Sequence, residues 1–253
     1  MSHSIWTECA EKHSDRSSFE GRPYRVVEAQ HFNSTRKLVD SDMEQYELER
    51  MLEENKPPIP REAQHLHILL STPFRYPPLR FGSRFGTRMQ RGLWYGSETP
   101  KTALVETAYY RLLFLEGSAA DLTPLSLELT VFQAHVRTTQ FVDLTAAPFC
   151  DHQDRISSKT SYSDSQALGE DMRASGVEAF RFVSARDQER GANIALFSPT
   201  AFAKSRPFNL STWRCYVAKT VVEMTEKNYL KMASYRFERS AFEVAGALPH
   251  PAT

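Results

Sequence analysis

Cysteine is scarce. Cys9, Cys150 and Cys215 are the only three in 253 residues, they lie far apart, and no CxxC pair occurs. An odd, scattered set excludes a disulfide framework and a thiolate zinc site, and it fits reduced thiols in a cytoplasmic protein. Neither sign of charge is in excess, since 31 Lys and Arg balance 31 Asp and Glu. No overall field therefore draws the chain to nucleic acid or to an anionic membrane, and no direct nucleic-acid or membrane partner is expected. Long apolar runs are missing too: the polar start MSHSIWTECAEKHSDRSS has no core of signal-peptide length, and nothing later approaches a membrane span. Neither a GxGxxG nor a P-loop pattern occurs among the 10 glycines, so any nucleotide must be held without a glycine-rich turn at a helix start. Internal repeats and low-complexity linkers are also absent.

What is present suits one globular domain, because 41% hydrophobic residues supply a sizeable core. Residues 1–21 are polar and without a period, which predicts a mobile or loosely docked leader. A single domain is expected over 22–245, followed by a frayed tail, 246–253. PYRVVEAQHF is a β-prone first strand that contains Arg25. A helical insertion over about 39–71 follows. Asp40 or Ser41 caps its first helix, with Met43, Leu48, Met51 and Leu52 recurring until Pro57 and Pro58, and a short second helix covers Arg61 to Leu70. The Pro- and Gly-punctuated TPFRYPPLRFGSRF then runs extended.

GLWYGS is a short aromatic strand. Thr99 caps and Pro100 opens a helix that continues from Lys101 to Leu115. Leu125, Leu127, Leu129 and Val131 alternate with Ser126, Glu128 and Thr130, the period of a half-buried strand, and TQFVDLTA adds another. From Phe149 to Tyr162 the composition turns polar and Ser-rich, which predicts an exposed loop able to move over a site. A helix over Ser163 to Ala174, strands in VEAFRFV and GANIALF, and two further alternating β segments complete the chain. Helices among antiparallel-looking strands, without regular βα alternation, make the fold class α+β.

Glu106 lies among Ala and Leu residues of its helix. A carboxylate there must face a polar cavity or meet a cation, unless Lys101, Thr102 and Arg111 define a wet side. Arg84, Tyr95 and Glu106 are evenly spaced along a loop, a strand end and a helix, so all three can reach one cavity. An Arg fork suits phosphate, a Tyr face suits a flat ring, and a Glu suits a developing cation. Taken singly, each is as easily a surface cation, a half-buried core ring or a solvated Glu. Ser184 ends the strand FRFV, where a lone Ser is usually a local cap; no GxSxG elbow surrounds it, which excludes a serine-hydrolase triad. His65 and His67 point to different helix faces and are poor metal partners.

Taken together, GSRF…GLWYGSETPKTALVETAYY followed by GVEAFRFVSARD…GANIALFSP closely resembles the RES-domain family, named for its Arg, Glu and Ser. The resemblance spans roughly Phe74 to Pro199. It implies an ADP-ribosyltransferase-like fold of mixed or antiparallel sheets flanked by helices. It also implies a toxin of a toxin–antitoxin pair that consumes NAD as its substrate, needs no metal, and is blocked by a separately encoded Xre-like antitoxin. Carried over position by position, Arg84, Tyr95, Glu106 and Ser184 take the family's arginine, tyrosine, glutamate and serine places. The first family arginine falls on Arg25, with Arg75 in TPFRYPP as a competitor. These residues imply cleavage of the nicotinamide–ribose bond with water, inorganic phosphate or a protein side chain as acceptor, which are hydrolase, phosphorylase and transferase outcomes respectively; the alternative is a catalytically silent member that acts only as the binding partner of a DNA-bound repressor.

Overall fold

A computed structural model of the chain describes residues 4–10, 16–29, 36, 38–77, 82–120, 124–228 and 232–251. One mostly antiparallel ten-stranded sheet runs through it, with helices packed on both faces. The strands are β1 (Ser17–Gly21), β2 (Tyr24–Glu28), β3 (Trp94–Ser97), β4 (Leu125–Gln133), β5 (Val136–Asp143), β6 (Ala179–Val183), β7 (Ala192–Leu196), β8 (Phe208–Val217), β9 (Val221–Glu226) and β10 (Ser234–Glu238). Their order across the sheet is β1-β5-β6-β7-β3-β2-β4-β8-β9-β10. Among the described residues only β5 and β6 pair in parallel, joined through the helix α6 (Ser163–Ala174) as a crossover requires. The fold is therefore α+β, as its irregular helix and strand order predicts.

Alternation along the strands shows which helix covers which face. On β4, Val131 packs with Leu104, Ala108 and Leu112 of the helix α4 (Pro100–Glu116), whereas its neighbour Phe132 packs with Leu70 and Phe74 of α3 (Ile68–Arg75). Tyr95 and Ala195 turn towards a third cluster that includes Leu168 and Met172 of α6. Successive strand residues face opposite sides, so α4 and α6 lie over one face and α3 over the other. No helix among the described residues is long and apolar enough to cross a membrane.

Several segments differ from their sequence reading. The supposed leader contains a short helix α1 (Ile5–Ala10) with Ile5 and Cys9 buried, and β1 pairs with β5 at the sheet edge; residues 1–3 and 11–15 lie outside the described set. SSFEG has little strand propensity, and its pairing with β5 and the stacking of Phe19 on Phe141 at 4.3 Å hold it. PYRVVEAQHF is thus the second strand, and its end, residues 30–32, is outside the described residues.

Ser41 caps α2 (Asp42–Glu54) with a capping box to Glu44, but the second helix of the insertion begins later than expected, at Ile68, and is capped by His67 accepting from the Leu69 N–H at 3.2 Å. Phe149 and Ile156, the only large apolar residues of a polar stretch, are fully buried, so that stretch carries a short helix α5 (Gln153–Ile156) rather than an exposed loop. Among the described residues after Pro199 there are three strands, not two. The tail docks as well, with Leu248 buried and the Tyr109 hydroxyl donating to the Pro249 carbonyl.

Candidate functional site

The unit from Gly92 to Glu116 folds as its local chemistry dictates. Thr99 accepts from the Thr102 N–H at 3.1 Å, Pro100 opens α4, and Leu104, Ala108 and Leu112 press the helix onto the sheet. Ala103, Glu106, Thr107 and Tyr110 are left on the flank that borders a cavity of ≈ 320 Å³ above β2, β3 and β7. Thr102, read as part of a wet side, is buried. Glu106 Oε1 accepts from Ser184 Oγ at 2.6 Å and from Asn193 Nδ2 at 2.8 Å. No protein donor reaches Oε2 among the described residues. One carboxylate oxygen is thus anchored and the other is free.

Ser184 sits behind Glu106 rather than in the cavity lining, and is 4% exposed. Its Oγ accepts the backbone N–H groups of Arg186 at 3.1 Å and Asp187 at 3.0 Å while donating its own proton to Glu106. The expectation of a local cap and the expectation of a site serine meet in one hydroxyl. Asp187 continues the chain of bonds, since its Oδ2 accepts from Thr102 Oγ1 at 2.8 Å, next to the Thr99 cap. A Cβ on Gly191 would lie 2.1 Å from Thr102 Oγ1 and 2.6 Å from Asp187 Oδ2, so only glycine lets this loop close on the start of α4.

Arg84 and Tyr95 meet through the tight Ser83–Gly86 turn. The Tyr95 hydroxyl is 3.0 Å from Ser83 Oγ and accepts from the Phe85 N–H at 3.3 Å. Burial pushes the phenol up to about 12, so it stays neutral at physiological pH. Arg84, 8% exposed, donates to the carbonyls of Ser158 at 2.8 Å and Ile156 at 3.3 Å, and lies 4.7 Å over the Tyr162 ring. It therefore pins the segment that was expected to move.

Arg25 fills the gap where β2 and β3 splay apart beyond their single Tyr24–Ser97 pair. Its Nη1 donates to the Tyr95 carbonyl at 2.7 Å, its guanidinium lies 5.4 Å over Trp94, and its buried Nε has no partner. Desolvation lowers its pKa to about 10, still charged at neutral pH. Arg75, the competing arginine, pairs with Glu53 at 2.7 Å and with the Pro57 carbonyl, and does not border the cavity.

The structure therefore brings Arg25, Arg84, Tyr95 and Glu106 to one cavity and sets Ser184 behind Glu106. It adds Ser97, Tyr110, Tyr162 and Asn193 to the lining. Tyr110 was within reach of sequence reasoning, being four residues after Glu106 on the same helix face. Asn193 was not, because only the β3–β7 register brings it opposite Ser97. Neither guanidinium has a carboxylate at ion-pair distance among the described residues. The cavity thus offers uncompensated positive charge on one side and a half-free carboxylate on the other, which suits a ligand with an anionic part and a centre that becomes cationic.

The sequence and the fold were compared with known proteins. No curated protein matches the sequence. Among solved structures, a chain of the M. tuberculosis MbcT–MbcA toxin–antitoxin complex is similar at 11% identity and a TM-score of 0.46, covering 82% of this chain and 90% of that one. The RES domain matches residues 59–218, a stretch that includes Arg84, Tyr95, Glu106, Ser184 and Asn193 and starts beyond Arg25. With well over half of its length matched, the chain belongs to the RES-domain family.

Proposed function

We propose that the protein is an NAD-consuming enzyme that breaks the bond between nicotinamide and ribose, and that it acts as the toxin of a pair neutralised by a cognate Xre-like antitoxin. The observation that carries this reading is the free Oε2 of Glu106, facing a cavity whose two arginines lack acidic partners. The arginines would hold the pyrophosphate through charge-assisted bonds in place of a glycine-rich loop. The Tyr95 ring would line the nicotinamide.

Bond breaking sends the electron pair of the glycosidic bond onto the nicotinamide nitrogen, which leaves neutral and needs no acid. The ribosyl carbon is left as an oxocarbenium ion, which Glu106 Oε2 would stabilise as carboxylates do in glycoside cleavage. Attack by water gives ADP-ribose and a proton, and attack by inorganic phosphate gives ADP-ribose 1″-phosphate. Attack by a protein side chain would make the enzyme an ADP-ribosyltransferase.

Mass spectrometry of NAD incubated with the protein, with and without phosphate and with a candidate acceptor protein, distinguishes these outcomes. Intact NAD under all three conditions at high enzyme concentration would overturn the reading.

A further inference from the structure

Asn193 is buried, 4% exposed, and is the second residue of β7. Its side chain bridges two strands and a helix: Oδ1 accepts from Ser97 Oγ at 2.6 Å, and Nδ2 donates to Glu106 Oε1 at 2.8 Å. Ser97 is itself 3% exposed and lies directly across from Asn193 in the β3–β7 register. An amide can be reversed at little cost when its surroundings are symmetric. Here the Glu106 carboxylate oxygen can only accept, so the NH₂ end must face it, and the Ser97 hydroxyl, free to rotate and donate, holds the Oδ1 end in place.

We propose that Asn193, held in place by Ser97, is a positioning residue that works as a pair with Ser184: together they place two donors on one oxygen of Glu106 and aim the other at the ligand. The inference rests on the reading of Glu106 as the group that meets the ribosyl centre. A carboxylate held by a single hydroxyl can still rotate about its last torsion and exchange its oxygens, and a second donor from a different element stops this. The other charged or titratable groups facing Glu106 are Tyr109 and Tyr110 on its own helix, Arg84 and Tyr162 across the cavity, Arg25 and Tyr95 at its floor, and Asp187 behind Ser184. None of them donates to it.

The test replaces the donor by an isosteric acid. In Asn193→Asp a second carboxylate lies at hydrogen-bond distance from Glu106, so the pair holds one proton to higher pH than either acid would alone. The acid limb of the kcat profile should move up by about one pH unit or more, with KM for NAD within about threefold of wild type. The same shift should appear in the Glu106 carboxyl resonance of ¹³C-glutamate-labelled protein, assigned by its loss in Glu106→Gln. That readout needs no turnover and stands even if NAD proves not to be the substrate.

Ser97→Ala, which removes only the hydroxyl that holds the amide oxygen, provides a second variant should Asn193→Asp fold poorly. It should lower kcat about three- to tenfold with KM unchanged. A wild-type Glu106 titration in Asn193→Asp, or kcat in Ser97→Ala equal to wild type, would overturn the proposal.

Discussion

Ser184 Oγ donates to Glu106 Oε1 at 2.6 Å while accepting two backbone N–H groups of its own turn. The hydroxyl is thus fully used by the protein, and its effect on a ligand passes through Glu106. Ser184→Ala should lower kcat about tenfold with little change in KM. It should also lower stability by about 2 kcal/mol, because two buried N–H groups lose their acceptor. Steady-state kinetics beside chemical denaturation check both; a rise in KM with unchanged kcat would mean direct contact with the ligand.

Glu106→Gln keeps the side-chain shape, and its amide oxygen can still accept from Ser184 and Asn193. NAD cleavage should fall by about a hundredfold or more, with thermal stability near wild type. Toxicity in a host cell should fall with it. Undiminished toxicity of a folded Glu106→Gln protein would point to a role that needs no catalysis.

Arg25 is a half-buried cation with a buried Nε and no acid to face, so the fold bears its desolvation without return from an ion pair. Arg25→Met should leave stability equal or slightly higher while raising KM for NAD about tenfold or more. The pH dependence has a definite sign. The folded pKa, about 10, lies below the unfolded 12.5, so the charged form is disfavoured by folding. That penalty is present in full at lower pH and lifts as pH rises through about 10. Any stability gain of Arg25→Met should therefore be constant from neutral pH to about pH 9 and shrink above it.

Gly169 of α6 lies so close to the turn bearing Arg84 that an added Cβ would be 2.2 Å from the Phe85 carbonyl oxygen. Alanine favours a helix interior by about 1 kcal/mol, yet a backbone atom cannot step aside as a side chain can. Overpacking of this kind costs about 1–3 kcal/mol and should win. Gly169→Ala should lower the melting temperature and raise KM, since Arg84 moves with its turn. A more stable variant with unaltered KM would show that α6 and the turn are not coupled.

The three thiols should behave unequally. Cys9 and Cys215 are buried and burial pushes the Cys215 thiol up to about 11, whereas Cys150 is exposed. Mass analysis after brief alkylation should find one label in the native protein and three in denaturant.

Much of the site was legible because its parts are local. The cap at Thr99, the proline after it and the spacing of Arg84, Tyr95 and Glu106 need only a loop, a strand and a helix in succession. What depends on distant pairing was not. The Ser97–Asn193 contact is a matter of strand register, and the choice of Arg25 over Arg75 follows from β2 lying beside β3. β1 was missed because SSFEG is polar and its partner strand lies more than a hundred residues away. The stretch from Phe149 to Tyr162 was misread because its serines outnumber the two side chains, Phe149 and Ile156, that anchor it.

The strand order has a consequence for anyone cutting the chain at the limits of its family match. Residues 59–218 contain β3 to β8 but not β1, β2, β9 or β10. β2 is the strand between β3 and β4. Without it the sheet falls into a four-stranded and a two-stranded piece, and β5, β3, β4 and β8 each gain an open edge. Open edges with apolar faces pair with one another between molecules, so such a fragment should precipitate on expression. The part of the chain that identifies the family should therefore not stay in solution when cut out alone.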